Sequence, residues 1–315
     1  MSIKIGNVEL CGSLGLAPMA GVADMAFRRV CREQGAAYSV TEMVSAKALC
    51  YGDKKTPRLL ALAPNEKPAA AQIFGSEPDF CAEGARIAAE LSSADVIDIN
   101  MGCPMPKIAG NREGASLMLD PKRASRVISA VVAAIDRPVT VKFRKGYDSE
   151  HVNCVEFARM CEASGASAIC IHGRTREQMY SGLADLDAMA AVVAAVKIPV
   201  MVNGDVTDLA SAERLLEYTG AGFALVGRAT LGNPWLFAGR EPSSVEEKLE
   251  MLRRQTRYAS EVKGERVACV EARKHAAWYL KGVRNAAAWR QKANDICSFS
   301  TLDAFCSGVS ADCEE

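Results

Sequence analysis

The sequence predicts an α/β fold: a (β/α)8 TIM barrel at residues 1–240, followed by a small all-α helical domain at 241–315. Three observations predict it. Eight short apolar runs, each ending in polar or glycine residues, alternate with helical stretches as far as residue 228. Strands of a parallel sheet, buried on both faces, read as such runs, and eight βα units in ~230 residues match the size of a closed barrel. Beyond about residue 240 only helical periodicity remains, with "GREPSS" (239–244) as the hinge.

The runs, in order, are "LGLAPM" (14–19), "YSVTEM" (38–43), "AAAQIF" (69–74), "VIDIN" (96–100), "VTVKFR" (139–144), "ICIH" (169–172), "VMVNGD" (200–205) and "FALVGR" (223–228). A typical intervening helix is "DPKRASRVISAVVAAI" (120–135), with Asp120 as N-cap and Pro121 at the first helical position. An open doubly wound sheet is the architectural alternative. Its GxGxxG marker is missing, since the first run leads into "APMAGVAD" (17–24).

Thirty-eight basic residues balance 38 acidic ones, so a nucleic-acid surface must be a local patch. The twelve cysteines include no CxxC pair, and "MSIKIGNVEL" has no signal-peptide h-region, so the expectation is a cytoplasmic chain with reduced thiols. No apolar stretch suits a bilayer, and no membrane role or obligate protein partner is expected. With three histidines and no thiolate cluster, no metal site is expected.

Residues 253–292 hold eleven Lys or Arg against Glu261, Glu265 and Glu271, a net +8. On one continuous helix, "EARKHAAWYLKGVRNA" (271–286) places Arg273, Lys274, Lys281 and Arg284 within a ~100° arc, opposite Ala272, Ala276, Tyr279 and Val283. Two readings stand: a solvated surface helix, or a face for a polyanion such as RNA.

Active sites of such barrels lie at the C-terminal ends of the strands. There stand Met19, Glu42, Gln72, Asn100, Lys142 with Arg144, His172, Asn203 with Asp205, and Gly227 with Arg228. Eight polar strand ends converging on one mouth imply a ligand, because burying them without one is unfavourable. Alternation puts Thr140, Lys142 and Arg144 on one face, and Lys142 needs an anion, either Glu42 or Asp98 in an ion pair or a bound anionic group. "NGD" (203–205) and "GRATLGNP" (227–234) place glycines where this fold holds phosphate. A phosphorylated planar cofactor follows, and FMN fits better than a dinucleotide. Cys103, between Gly102 and Pro104 on the loop after the fourth run, would face the same mouth on a stiff support. Without a helix N-terminus at the thiol, a pKa near ~8.5 is expected, which suits a proton donor.

Residues across the whole length resemble the tRNA-dihydrouridine synthase family, especially its bacterial B-type branch. The blocks are "APMAGVADMAFR" (17–28), "TEMVSAKAL" (41–49), "QIFGSEP" (72–78), "DINMGCPMPKI" (98–108), "PVTVKFRKG" (138–146), "IHGRTREQMYSG" (171–182), "VNGDV" (202–206), "GRATLGNPWLF" (227–237) and "ARKHAAWYLKG" (272–282). The resemblance implies a flavin-dependent oxidoreductase that reduces the C5=C6 bond of uridine in the tRNA D-loop, with FMN as cofactor and NADPH as reductant. It implies flavin contacts at Pro18, Met19, Ala20 and Gln72. Lys142 and His172 would lie near the flavin and its phosphate, and Asn203, Gly204, Asp205, Gly227 and Arg228 would bind that phosphate. Asn100 would touch flavin and uracil, Cys103 would be the proton donor, and Arg174, Arg176, Arg273, Lys274, Lys281 and Arg284 would meet RNA. Met105 and Gly110 depart from the family's usual residues and bear on RNA contacts rather than chemistry. The competing functions are an FMN-dependent reductase of a free pyrimidine or other small molecule, and a non-catalytic RNA-binding protein with a vestigial barrel.

Overall fold

Eleven strands form two sheets in the computed structural model of the chain, which describes residues 2–53 and 56–314. In chain order they are β1 (Ser2–Ile5), β2 (Val8–Cys11), β3 (Leu14–Leu16), β4 (Ser39–Val40), β5 (Val44–Ser45), β6 (Ala69–Phe74), β7 (Val96–Met101), β8 (Val139–Gly146), β9 (Ala168–Thr175), β10 (Val200–Asn203) and β11 (Phe223–Val226). The barrel is the parallel ring β3, β4 and β6 to β11. It closes because β3 pairs with both β4 and β11, and β4 pairs with β6. The predicted (β/α)8 architecture is the one observed.

The second barrel strand is broken. β4 pairs with Ala69 and Ala70 and β5 with Ile73 and Phe74 of the same neighbour, while residues 41–43 leave the ladder between them. Thr41 bridges the gap, donating its N–H to Ala70 O at 2.9 Å and accepting Gln72 N–H on its hydroxyl at 3.0 Å. The break frees Glu42 to accept the backbone N–H of Gly21.

Strand alternation divides the barrel interior by height. At the N-terminal end Tyr38, Val40, Ala70, Val96, Ala168, Cys170, Met201, Phe223 and Leu225 form one apolar cluster. The antiparallel β1–β2 hairpin, which the run of strand signals does not include, plugs this end with Ile5 and Leu10, both fully buried in that cluster. One pleat higher the inward positions turn polar: Gln72, Asp98 and Asn100, Thr140, Lys142 and Arg144, His172 and Arg174, Asn203. The outward positions Ile97, Ile99, Val141, Phe143, Ile169, Ile171 and Val202 belong to the larger cluster shared with the surrounding helices.

After the short helix Pro234–Ala238 the chain is helical: Val245–Lys263, Glu265–Tyr279, Ala286–Lys292 and Phe299–Glu314. These helices pack on the barrel through the same hydrophobic cluster, which holds Phe27, Val30 and Trp235 together with Leu249, Cys269, Ala276 and Tyr279. Trp235 meets the Tyr279 ring edge-on at 6.2 Å, and Phe27 lies 5.7 Å from the His275 ring. The last stretch is a helix whose Leu302, Phe305, Cys306 and Val309 are buried; Glu315 lies outside the described residues. Among the described residues, no helix is long and apolar enough to cross a membrane.

Candidate active site

The mouth is organised around one hydrogen-bond chain running from β6 to the loop after β7. Gln72 and Asp98 are register partners on adjacent strands, and Gln72 Nε2 donates to Asp98 Oδ2 at 2.6 Å. Asp98 Oδ1 accepts the Thr140 hydroxyl at 2.5 Å from β8. Gln72 Oε1 in turn accepts Asn100 Nδ2 at 2.9 Å, and Asn100 Oδ1 accepts the backbone N–H of Cys103 at 2.9 Å and of Gly102 at 3.2 Å. Because a carboxylate only accepts, Asp98 fixes which end of each amide faces its neighbour. The carboxylate is fully enclosed, and burial pushes its pKa up to about 6 against the hydrogen bonds from Thr140 and Gln72 and the charge of Lys142.

Cys103 therefore hangs from a fixed backbone. Ala115 donates its N–H to Cys103 O at 3.1 Å, and a Cβ on Gly114 would come within 2.9 Å of that carbonyl, so the turn behind the cysteine closes on a glycine at φ +57°. The thiol is 8% exposed. Burial raises its pKa above the ordinary value, against the Met105 backbone hydrogen bond and the charges of Arg144 and Lys142. The sequence alone predicts an unshifted thiol; enclosure by the loop carries it higher, which keeps the proton on sulfur at neutral pH more firmly.

Lys142 donates to Asn203 Oδ1 at 3.1 Å, whose Nδ2 is held by Leu225 O at 2.7 Å. Neither of the predicted ion-pair alternatives, Glu42 or Asp98, pairs with it: among the described residues Lys142 forms no salt bridge. Burial lowers its pKa. Lys142, Arg144, Arg174 and Arg228 stand around His172, and burial together with these charges holds it neutral. Gly204, at φ +141°, runs so close to His172 that a Cβ would reach 3.4 Å from Cδ2 and 2.7 Å from Ala184 Cβ. Gly227 faces Met19 and Ala17, with the nearest side-chain atom 3.7 Å from where its Cβ would be. Met19 O anchors its own loop by accepting Val22 N–H at 3.0 Å and Ala23 N–H at 2.8 Å. Pro18 and Ala20 flank it on the exposed rim.

The donor set fits a phosphorylated planar group. Two glycine-lined backbone stretches, a neutral imidazole, a lysine without a carboxylate partner and the half-exposed Arg228 offer hydrogen bonds and positive charge on one side of the mouth. The Gln72 and Asn100 amides line the other.

Several of the expected RNA-binding residues are committed elsewhere. Arg174 is 2% exposed, donating from Nη2 to Asp205 Oδ1 and Oδ2 at 2.6 and 2.7 Å and to Gly182 O at 2.6 Å, and from Nε to Ser181 O at 3.1 Å. It builds the loop after β9 rather than facing RNA, because both carboxylate oxygens and two carbonyls hold it inside. Arg176 is half-buried and stacks on the Tyr147 ring at 5.3 Å. The basic helix ends at Tyr279, and Gly282 turns the chain at φ +78°, so the four cations do not share one face. Arg273 donates to Ile296 O at 2.8 Å, and Lys274 reaches back to the barrel, donating to Gly21 O. Lys281 and Arg284 stay exposed.

Three side chains of the mouth hold roles that the sequence reading does not assign, Arg144 standing there only as a polar strand end beside Lys142. Arg144 fastens two loops, donating to Gly102 O at 2.9 Å and to Thr175 O and Met179 O at 2.8 Å each. Tyr180, half exposed, lies under Arg228 at 4.7 Å and beside His172 at 6.5 Å. Asp98 enters the sequence reading only as an ion-pair partner. Its signal is the i, i+2 spacing to Asn100 on one strand face.

The chain is similar to known proteins along most of its length. The family described as "Dihydrouridine synthase (Dus)" matches residues 15–311. A "Probable tRNA-dihydrouridine synthase" of Rickettsia conorii is 39% identical over 93% of this chain and 91% of its own. Proteins named "tRNA-dihydrouridine synthase B" from Pasteurella multocida and Vibrio vulnificus are each 37% identical over 93% of this chain, covering 91% and 94% of theirs. Among solved structures, a 2-naphthoyl-CoA reductase complex (TM-score 0.58) and a histamine dehydrogenase from Rhizobium sp. 4-9 (0.59) share the fold at 13% identity. They match 75% and 82% of this chain, which spans half of theirs.

Proposed function

The chain belongs to the dihydrouridine synthase family, and from that premise we propose that it reduces the C5=C6 bond of uridines in the D-loop of tRNA, with FMN as cofactor and NADPH as reductant. We assign residues 1–240 to catalysis and 241–315 to tRNA recognition. The observation that carries the reading is Cys103: a thiol kept protonated by burial, its backbone fixed through Asn100, in a mouth lined with cations and amides.

When bound, the flavin supplies the hydride that adds to C6 of the uracil. Cys103 supplies the proton to C5 and regains one from solvent. Asn100 holds the thiol's loop still, so proton transfer needs no search by the donor. Lys142 brings a positive charge beside Asn203, and neutral His172, with the backbone of Gly204, Asp205, Gly227 and Arg228, receives a phosphate. Gln72, with Pro18, Met19 and Ala20, lines the ring. A stacked uridine must be turned out of the tRNA to enter, and the exposed Lys281 and Arg284 grip backbone phosphates.

The test is position-mapped dihydrouridine in an unmodified tRNA transcript incubated with protein, FMN and NADPH, alongside uridine monophosphate. Dihydrouridine confined to the D-loop is the expected result. Reduction of the free nucleotide instead would move the assignment to a small-molecule reductase.

A further inference from the structure

We propose that Lys263 and Lys274 of the helical segment are positioning residues for the cofactor, clamping the 18–24 loop of the barrel from outside. The inference rests on the assignment of Pro18, Met19 and Ala20 to flavin contact.

This loop is the first one after β3, and its backbone is tied down at several polar points. Gly21 N–H is taken by Glu42, which the break in the second strand turns toward it, and Gly21 O by the ammonium of Lys274. Two residues on, Ala23 O accepts Arg28 Nη1 at 2.9 Å. Asp24 closes the loop: its Oδ1 caps Phe27 N–H at 2.9 Å, and its Oδ2 receives Lys263 Nζ at 2.6 Å. Glu271 holds the same ammonium at 2.5 Å. Burial raises the Asp24 carboxyl, but the charge and hydrogen bond of Lys263, with the Phe27 N–H, bring it below its ordinary value.

The two lysines come from consecutive helices joined at Gly264, φ +78°. Their targets, Gly21 O and Asp24, lie two and five residues beyond Met19, the residue facing Gly227. Gly21 itself has no side chain to pack, and open space surrounds the position its Cβ would take. Without Lys274 nothing else among the described hydrogen bonds takes Gly21 O, and a glycine is the residue freest to swing away. The helical segment thus completes the wall of the cofactor site, and Lys274 faces the barrel rather than RNA.

The experiment is FMN titration of the full-length apoprotein, read by quenching of flavin fluorescence, for wild type, Lys274→Met and Lys274→Arg, with tRNA affinity and apoprotein melting measured in parallel. The expected result is an FMN Kd raised at least about fivefold in Lys274→Met, restored in Lys274→Arg, with tRNA Kd and apoprotein Tm unchanged. An unchanged FMN Kd overturns the proposal, as does a loss of tRNA affinity alone, which would make Lys274 an RNA-binding residue. If Lys274→Met does not fold, Asp24→Asn decides: it keeps the cap on Phe27 and weakens the pull of Lys263, so it must raise the FMN Kd in the same direction. Failure of the wild type to bind FMN refutes the functional assignment itself and is distinct from failure of the clamp.

Discussion

Replacing Asp98 by Asn separates the charge of this buried group from its geometry. The side chain keeps its shape, its Oδ1 can still accept Gln72 Nε2, and its new Nδ2 can donate to Thr140, whose hydroxyl rotates to accept. The chain through Gln72 and Asn100 to the Cys103 N–H survives, so turnover near pH 8 stays close to normal. What disappears is a titration. In the folded protein burial lifts the Asp98 pKa from an ordinary 3.8 to about 6. A carboxyl raised on folding stabilises the native state fully below its unfolded pKa, and that stabilisation is lost as pH rises through the folded value. The distance from 3.8 to about 6, at ~1.4 kcal/mol per pH unit, amounts to roughly 3 kcal/mol, about 2 of it in hand at pH 4.5.

Urea unfolding of wild type and Asp98→Asn at pH 7.5 and 4.5 measures it. The wild type gains about 2 kcal/mol on the variant between the two values. A stability difference that does not move with pH refutes the reasoning, because it would mean that Asp98 is solvated or already protonated. Asp98→Leu is the contrasting variant. It strands Gln72 Nε2 and the Thr140 hydroxyl, at about 1–3 kcal/mol each, and lets the Gln72 amide turn over.

Cys103→Ala is expected to keep its flavin and lose about 10²- to 10⁴-fold in turnover, measured as dihydrouridine formed per enzyme, and full turnover removes the thiol from the mechanism. Iodoacetamide at neutral pH should label the exposed Cys11 and Cys297 well before the buried, raised Cys103. Charge reversal of Lys281 and Arg284 should weaken tRNA binding and flatten the dependence of log K on log salt by about 1 for each phosphate left without its cation, with FMN affinity unchanged.

The barrel was legible because parallel strands covered on both faces carry unbroken apolar runs, and the pleat then assigns faces. Thr140, Lys142 and Arg144 do point inward together, as alternation requires. The N-terminal hairpin was hidden because its strands have four residues each and mixed polarity; its signal is the Gly6–Asn7 turn. The final helix falls within the stretch read as all-α, against its composition. Serines and Gly308 lower its intrinsic propensity, but Leu302, Phe305, Cys306 and Val309 recur at helical spacing, and burial against the Val245–Lys263 helix outweighs propensity. In the site, the polar strand ends could be read one by one. Their pairing could not, since whether Lys142 meets Asp98 or Asn203 depends on how far each side chain reaches across the barrel.

The basic segment shows where counting along a chain fails. The +8 within residues 253–292 treats neighbours in sequence as neighbours in space. In the fold the balancing acids arrive from outside that window: Glu246 and Asp303 on Arg253, Glu33 on Arg254, Asp24 on Lys263. Arg273 and Lys274 donate to carbonyls, and Lys292 lies 4.0 Å from the Trp289 ring centroid. Among the described residues, Arg266, Lys281 and Arg284 are exposed and form no salt bridge. An ion pair must be broken before its cation can serve a phosphate, whereas these three need only shed water and counterions. Within this segment the cations without a carboxylate partner are therefore few, and Lys281 and Arg284 flank the turn at Gly282 that follows the helix bearing Lys274. A tRNA seated on that turn would press on the element that shapes the flavin wall.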